Sequence, residues 1–224
     1  MNGRLLACGE RALLAEVAGL DDVLRLYAAV RGAARQQDSE LPELLDLVPA
    51  ARTLLVVVRH GGDLARLRSS LTALLGTDLG PTADQRDAAE DESPAVEILV
   101  HYDGADLDRV AELTGLPPAD VIAAHTNTDW RVGFAGFAPG FAYLVDGDPR
   151  LRVPRRDEPR TSVPAGSVAL AGEFSAIYPR SSPGGWQLIG RTDAVLFDVE
   201  RQPPALLQPG SRVRFVDAER VPSR

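Results

Sequence analysis

Four stretches of this 224-residue chain carry residue types that could bind or polarise a small molecule, and all lie between Arg131 and Thr192. Pro154-Arg155-Arg156-Asp157-Glu158-Pro159-Arg160 places three arginines within six residues, between prolines that stiffen the backbone. A guanidinium is a planar fork of donors that matches a carboxylate or phosphate. The other reading is a solvated loop in which Asp157 and Glu158 neutralise the arginines. Ser182-Pro183-Gly184-Gly185-Trp186-Gln187-Leu188-Ile189-Gly190-Arg191-Thr192 joins a Gly-Gly turn, able to aim N–H groups at an anion, to an indole and to a carboxamide. Gln187 can donate and accept at once, as an amide ligand requires.

Two further stretches are less specific. Gly133–Leu144 holds four of the ten Phe and Tyr residues, fitting either an aromatic barrel core or a ligand pocket. Val163-Pro164-Ala165-Gly166-Ser167-Val168 reads as a turn into a strand. Ser167 has no adjacent histidine and no nucleophile-elbow pattern, which argues against a serine hydrolase.

Composition removes other chemistries. All 24 basic residues are arginine, so a Walker phosphate loop and a lysine Schiff base are both excluded. His60, His101 and His125 are scattered and lack a nearby cysteine, against a zinc site of usual spacing. Cys8 is the single cysteine, consistent with a reducing compartment. A formal net charge of −8 argues against nucleic-acid binding. The charge is uneven: 11 Arg face 22 acids over residues 1–130, whereas 13 Arg face 10 acids over residues 131–224. No apolar run reaches the ~20 residues of a membrane span, and the start resembles no signal peptide. A cytoplasmic protein is expected.

The elements that must position these residues follow from apolar periodicity. Strands are expected at 3–8 and 11–17, then a helix carrying Leu20, Val23, Leu24, Tyr27 and Val30. Strands at Leu44–Val48 and Thr53–Val58 precede a second helix capped by Asp63, with Leu64, Leu67, Leu71, Leu74 and Leu75 as its buried stripe. This order suits a small split βαβ-type sandwich. Residues 77–94, with an acidic run from Asp84 to Glu92, read as a linker. Val96–Val100 resumes as a strand, followed by helices at Leu107–Thr114 and Ala119–Asn127. Short apolar runs then recur between Gly and Pro: Val132–Phe134, Phe141–Leu144, Ser167–Ala171, Trp186–Ile189, Ala194–Phe197 and Arg212–Val216, the texture of a β-barrel or sandwich. The expected α+β organisation is therefore an N-terminal domain over residues 1–92 and a β-rich domain over residues 93–224.

The motifs in combination resemble a known family. Gly136-Phe137-Ala138-Pro139-Gly140-Phe141-Ala142-Tyr143-Leu144 resembles a GF-x-PGF-x-YL signature. The arginine cluster, Val163–Val168, Ile177-Tyr178-Pro179 and Ser182–Thr192 follow in the family's order. The resemblance is to the KipI/PxpB family, also called allophanate hydrolase subunit 1. It is dense over Tyr102–Phe215, with Tyr102-Asp103-Gly104-Ala105-Asp106-Leu107 and His125 fitting the pattern. One departure stands out: Glu173-Phe174-Ser175-Ala176 replaces the Gly-Gln-Thr-Gly of many relatives.

The resemblance implies a cyclophilin-like β-barrel for the C-terminal domain and a role as the B-type component of an ATP-dependent 5-oxoprolinase, using ATP with Mg at the level of the complex. Implied partners are a second cyclophilin-like barrel subunit of the PxpC or allophanate hydrolase subunit 2 type and a LamB/YcsF-type subunit. On this reading Arg155, Arg160 and Arg191 meet anionic groups, Gly184 and Gly185 supply backbone donors, and Gln187 with Trp186 hold a small amide. Arg156, flanked by Asp157, is expected to stand outside the clamp. His125 and Glu173 are the candidate catalytic groups. The rival readings are a KipI-like inhibitor of a sensor histidine kinase, which needs an exposed apolar patch, and an allophanate or urea-derived amide hydrolase subunit.

Overall fold

The computed structural model describes residues 2–36, 40–80 and 95–220. The expected acidic run lies within residues 81–94, outside the described residues. The chain divides into two compact units, Met1–Asp91 and Glu92–Arg224.

The first unit is a four-stranded antiparallel sheet with two helices. β1 (Gly3–Ala7), β2 (Ala12–Val17), α1 (Leu20–Ala34), β3 (Leu44–Pro49), β4 (Thr53–Val58) and α2 (Leu64–Gly76) follow in sequence. The sheet order is β1-β2-β4-β3. Because β4 is antiparallel to both neighbours, β2 and β3 run parallel with β4 between them, which is the split βαβ arrangement. Alternation selects the buried face: Leu13, Ala15 and Val17 of β2 and Leu54, Val56 and Val58 of β4. Val23, Leu26 and Val30 of α1 and Leu67, Leu71 and Leu75 of α2 recur at helical spacing and are buried. Asp63 caps α2, its Oδ1 accepting the Arg66 N–H at 2.9 Å.

The second unit is built on a seven-stranded sheet. Its elements are β5 (Val96–Val100), α3 (Leu107–Thr114), α4 (Pro118–Thr126), β6 (Trp130–Ala135), β7 (Ala142–Val145), β8 (Arg160–Val163), β9 (Ser167–Ala171), β10 (Phe174–Ile177), β11 (Ser182–Gly184), β12 (Gln187–Arg191) and β13 (Arg212–Asp217). The order β12-β9-β10-β7-β6-β13-β5 is antiparallel except for the β13–β5 pair. The two edges meet: His101 and Arg191 exchange N–H···O bonds of 2.9 Å in each direction and close the sheet into a barrel. Closure needs glycine. A Cβ on Gly190 would stand 2.5 Å from the His101 carbonyl oxygen, and one on Gly104 would overlap the Ile189 carbonyl carbon.

Strand β9 is buried on both faces. Val168 and Leu170 join a core with Trp130, Leu144, Ile177, Ile189 and Phe215 and with Val110, Val121 and Ala124 of α3 and α4. Ala169 and Ala171 face a second cluster of Phe141, Val163, Ala176, Tyr178, Trp186 and Leu188. That second cluster is partly covered by a separate β8–β11 ribbon, in which Gly184 pairs with Arg160 and Ser182 with Val163. Ala194–Phe197, expected as a strand, forms only an isolated bridge from Phe197 to Ala205. Leu196 is buried there and Ala194 packs partly against the same core, while Val195 and Phe197 face solvent, so the stretch packs without pairing with a strand. No helix of the described residues is long and apolar enough to cross a membrane.

Candidate functional site

The arginine cluster is organised by a carboxylate that local sequence does not mark. Asp106 precedes α3 in sequence and is 3% exposed. Its Oδ1 accepts from Arg156 Nη1 at 2.9 Å and Arg160 Nη2 at 2.8 Å, and its Oδ2 accepts the Leu188 N–H at 2.7 Å. The Asp106 N–H in turn donates to the Leu188 carbonyl at 2.8 Å. Burial pushes the Asp106 carboxyl up, but the Arg160 and Leu188 hydrogen bonds and two guanidinium charges outweigh it and hold the group below the ordinary carboxylate value. Arg156, expected outside the clamp beside Asp157, is thus a partner of Asp106. Its backbone N–H also donates to the Gly185 carbonyl at 2.8 Å. Arg160 lies in a strand, opposite Gly184. Its Nη1 is buried and has no partner among the described residues.

Beside this network lies a cleft of about 330 Å³ lined by Arg109, Leu113, Pro154–Glu158 and Gln187. Gln187 is 3% exposed and its Nε2 donates to the Pro154 carbonyl at 3.1 Å. Its Oε1 is buried and unpartnered among the described residues. A buried polar atom left unpaired costs on the order of 1–3 kcal/mol. Arg155 is exposed, with its guanidinium carbon 6.0 Å from the Trp186 ring centroid. Trp186, expected as a ligand wall, is 4% exposed and packs edge-on against Phe141 and at a tilt on Tyr143. It holds Arg155 from below and offers little surface of its own. Gly184 serves packing: a Cβ there would overlap the Tyr178 hydroxyl.

Three expected residues lie apart from this group. Arg191 forms a 2.9 Å pair with Asp103 in which both side chains are more than half exposed, and it belongs to the barrel closure. Glu173 is 3.6 Å from Arg152 on the surface, a pair worth about 1 kcal/mol or less. His125, on α4, is 0% exposed. Its Nδ1 meets the Tyr102 hydroxyl at 2.8 Å and its Nε2 meets Ser175 Oγ at 2.9 Å, and it stacks on Phe215 at 4.1 Å. Burial lowers its pKa to about 3, and burial together with Asp217 raises that of Tyr102. Both are therefore neutral at physiological pH. Sealed from solvent, His125 ties α4 to β10.

Asp106, Tyr102 and Ser175 carry polar networks that their residue types and spacing do not announce. The sequence shows Asp106 only as part of the Tyr102–Leu107 stretch of the family pattern; that its side chain makes no cap bond and serves elsewhere is visible only in the fold. The departure at 173–176 is also milder in place. Ser175 spends its hydroxyl on His125, and Phe174 joins Phe134 and Tyr143, themselves stacked, through edge-on ring contacts.

Comparison with known proteins gives a consistent picture. The family described as carboxyltransferase domain, subdomain C and D, matches residues 3–207. A 5-oxoprolinase subunit of the B type from Escherichia coli O157:H7 is 41% identical over 79% of this chain and 79% of its own. Its counterpart from Bacillus subtilis is 48% identical over 54% of this chain and 52% of its own length. Among solved structures, TTHA0988 superposes with a TM-score of 0.68 at 36% identity, over 97% of this chain but 40% of that one. The urea amidolyase of K. lactis superposes with a TM-score of 0.72 at 20% identity, covering 97% of this chain and 15% of that one. At that identity it speaks for the barrel fold alone.

Proposed function

The chain belongs to the carboxyltransferase subdomain C and D family, and we propose that it is the B-type component of an ATP-dependent 5-oxoprolinase, opening the lactam of 5-oxoproline to glutamate together with partner subunits. The relatives named as 5-oxoprolinase subunits of that type support this reading. The observation in the fold that supports it is Gln187, which lines a cleft with Arg155 and Arg156 and whose buried Oε1 has no partner among the described residues. A lactam with a neighbouring carboxylate presents one N–H donor and one anion, which those groups complement. Arg160, with its buried free Nη1, adds a second donor toward negative charge. The roles open to this chain are thus substrate orientation and stabilisation of developing charge.

A lactam carbonyl is a poor electrophile, and phosphorylation of its oxygen accounts for the use of ATP. Among the described residues no group of three or more His, Cys, Asp or Glu side chains is placed to hold a metal ion. On this reading Mg-ATP acts at the level of the assembled complex, with a second cyclophilin-like barrel and a LamB/YcsF-type subunit as partners. Phe137 gives such a partner a place to dock. It is 59% exposed at φ +68, a conformation that costs a non-glycine residue energy, and its loop packs on Phe197, itself 39% exposed.

The test is reconstitution. The chain alone is expected to show no ATP-dependent turnover of 5-oxoproline, and the three-component complex to show it. In that complex Gln187→Ala should raise KM for 5-oxoproline about tenfold, with the melting temperature close to the parent. Turnover by the lone chain, or a complex inert toward 5-oxoproline, would refute the reading.

A further inference from the structure

We propose that Asp106 is the positioning residue of the arginine cluster, aligning Arg156 and Arg160 and setting the charge they present. The argument begins with what Asp106 does not do. An aspartate at a helix N-cap ordinarily accepts a backbone N–H of the first turn, which stabilises the helix. The Asp106 side chain makes no such bond. All of its described acceptor capacity goes to partners 50, 54 and 82 residues away. A local stabilising contact is given up for a long-range one, which is where functional demand shows against folding preference.

The geometry explains the demand. Arg156 and Arg160 stand on different elements, one following Pro154 and Arg155 and one opening β8. Two like charges held together repel, and each has a long side chain with many rotamers. A single buried oxygen, Oδ1, takes one N–H from each and fixes both at 2.9 and 2.8 Å. Oδ2 is occupied by the Leu188 N–H, next to Gln187, so the same carboxylate locks the start of β12. The open acceptor of Gln187 and the open donor of Arg160 are thereby referenced to one atom group. With Asp106 ionised, the three side chains carry one net positive charge. That suits a singly charged carboxylate better than a doubly charged phosphate.

The kinetic part of this inference rests on the substrate reading of the cleft; the chemical part does not. Phenylglyoxal modifies guanidiniums, and a chain without lysine gives clean peptide maps of arginine reactivity. In the full-length chain, Asp106→Asn removes the charge and keeps the size. Arg156 and Arg160 should then react at least fivefold faster, with Arg150 and Arg214, on other carboxylates, unchanged. In the reconstituted complex the same variant should raise KM for 5-oxoproline about tenfold and change kcat less than threefold. Inorganic phosphate should become a better competitive inhibitor, as the cluster gains a second net positive charge.

Asp148→Asn, which frees only Arg150 on the surface, serves as the control for both assays. If Asp106→Asn lowers the melting temperature too far, Asp106→Glu keeps the charge and moves it by one methylene. It should slow both arginines relative to the Asn variant while leaving KM raised. Equal arginine reactivity in a folded Asp106→Asn chain overturns the proposal whatever the complex does. A complex inert toward 5-oxoproline with faster Arg156 and Arg160 overturns the substrate reading and leaves the positioning role standing.

Discussion

The buried imidazole of His125 makes a pH-dependent prediction whose size follows from its surroundings. In the folded chain its pKa is held at about 3, against an ordinary value of 6.5. The cause is burial: a charged ring would sit at zero exposure between Tyr102, Ser175 and Phe215, with no carboxylate paired to it among the described residues. Below pH 6.5 the unfolded chain takes a proton that the folded one refuses. Stability is therefore lost as pH falls from about 6.5 toward 3, at roughly 1.4 kcal/mol per unit. Between pH 7.5 and 4.5 the loss due to this group is about 3 kcal/mol. His125→Gln keeps an amide near the Tyr102 and Ser175 hydroxyls and cannot titrate. It should be less stable than the parent at pH 7.5, and the gap should shrink by about 3 kcal/mol at pH 4.5. Urea unfolding followed by tryptophan fluorescence measures this directly, since Trp130 and Trp186 both lie in the second unit. Parallel stability curves for parent and variant would refute the reasoning and mean that the ring is charged or hydrated in the folded state.

Two further outcomes are expected. Arg160→Lys should be nearly as damaging as Arg160→Ala in the active complex, lowering kcat/KM about tenfold to a hundredfold, because an ammonium keeps the charge but loses the planar fork that holds Asp106 through Nη2 and carries a separate donor on Nη1; retention of full activity by the lysine variant counts against the clamp. Gly190→Ala places a Cβ 2.5 Å from the His101 carbonyl and 2.8 Å from Val100 Cγ1. It should cost ~3 kcal/mol of second-unit stability by urea titration, and an unchanged midpoint would mean that the barrel closes differently.

Much of the scaffold was readable because its signals are local. Asp63 caps α2, Leu107–Thr114 is a helix and Ser167–Ala171 a strand at the bounds that periodicity and turn residues give. The strands that periodicity misses, β8, β10 and β11, are short and lack a period. β11 is Ser182-Pro183-Gly184, with a proline and a glycine among its three residues, and pairs only with β8. Phe174–Ile177 reads as an oddity of motif rather than a strand. The site was half visible. Its arginines and Gln187 stood out by chemical type, but burial decides what each does, and burial depends on partners far along the chain. Trp186 and Arg156 show this: the indole turns inward to a ring cluster, and the guanidinium passes over its neighbour Asp157 for a carboxylate 50 residues back.

Barrel closure also bears on the order in which the protein can take shape. β13, the last strand, lies between β5 and β6, and its parallel partner β5 is more than a hundred residues earlier in the chain. During synthesis the first unit can collapse on its own short-range contacts as it leaves the ribosome. The second cannot: until residues 212–217 emerge, β5 has no neighbour along its β13 side, and its inward-facing Ile98 and Val100 wait without Phe215. High contact order of this kind slows folding and prolongs exposure of sticky strands. Truncation near the C-terminus is therefore expected to leave the whole second unit open, with β5 available to any other chain that offers an edge.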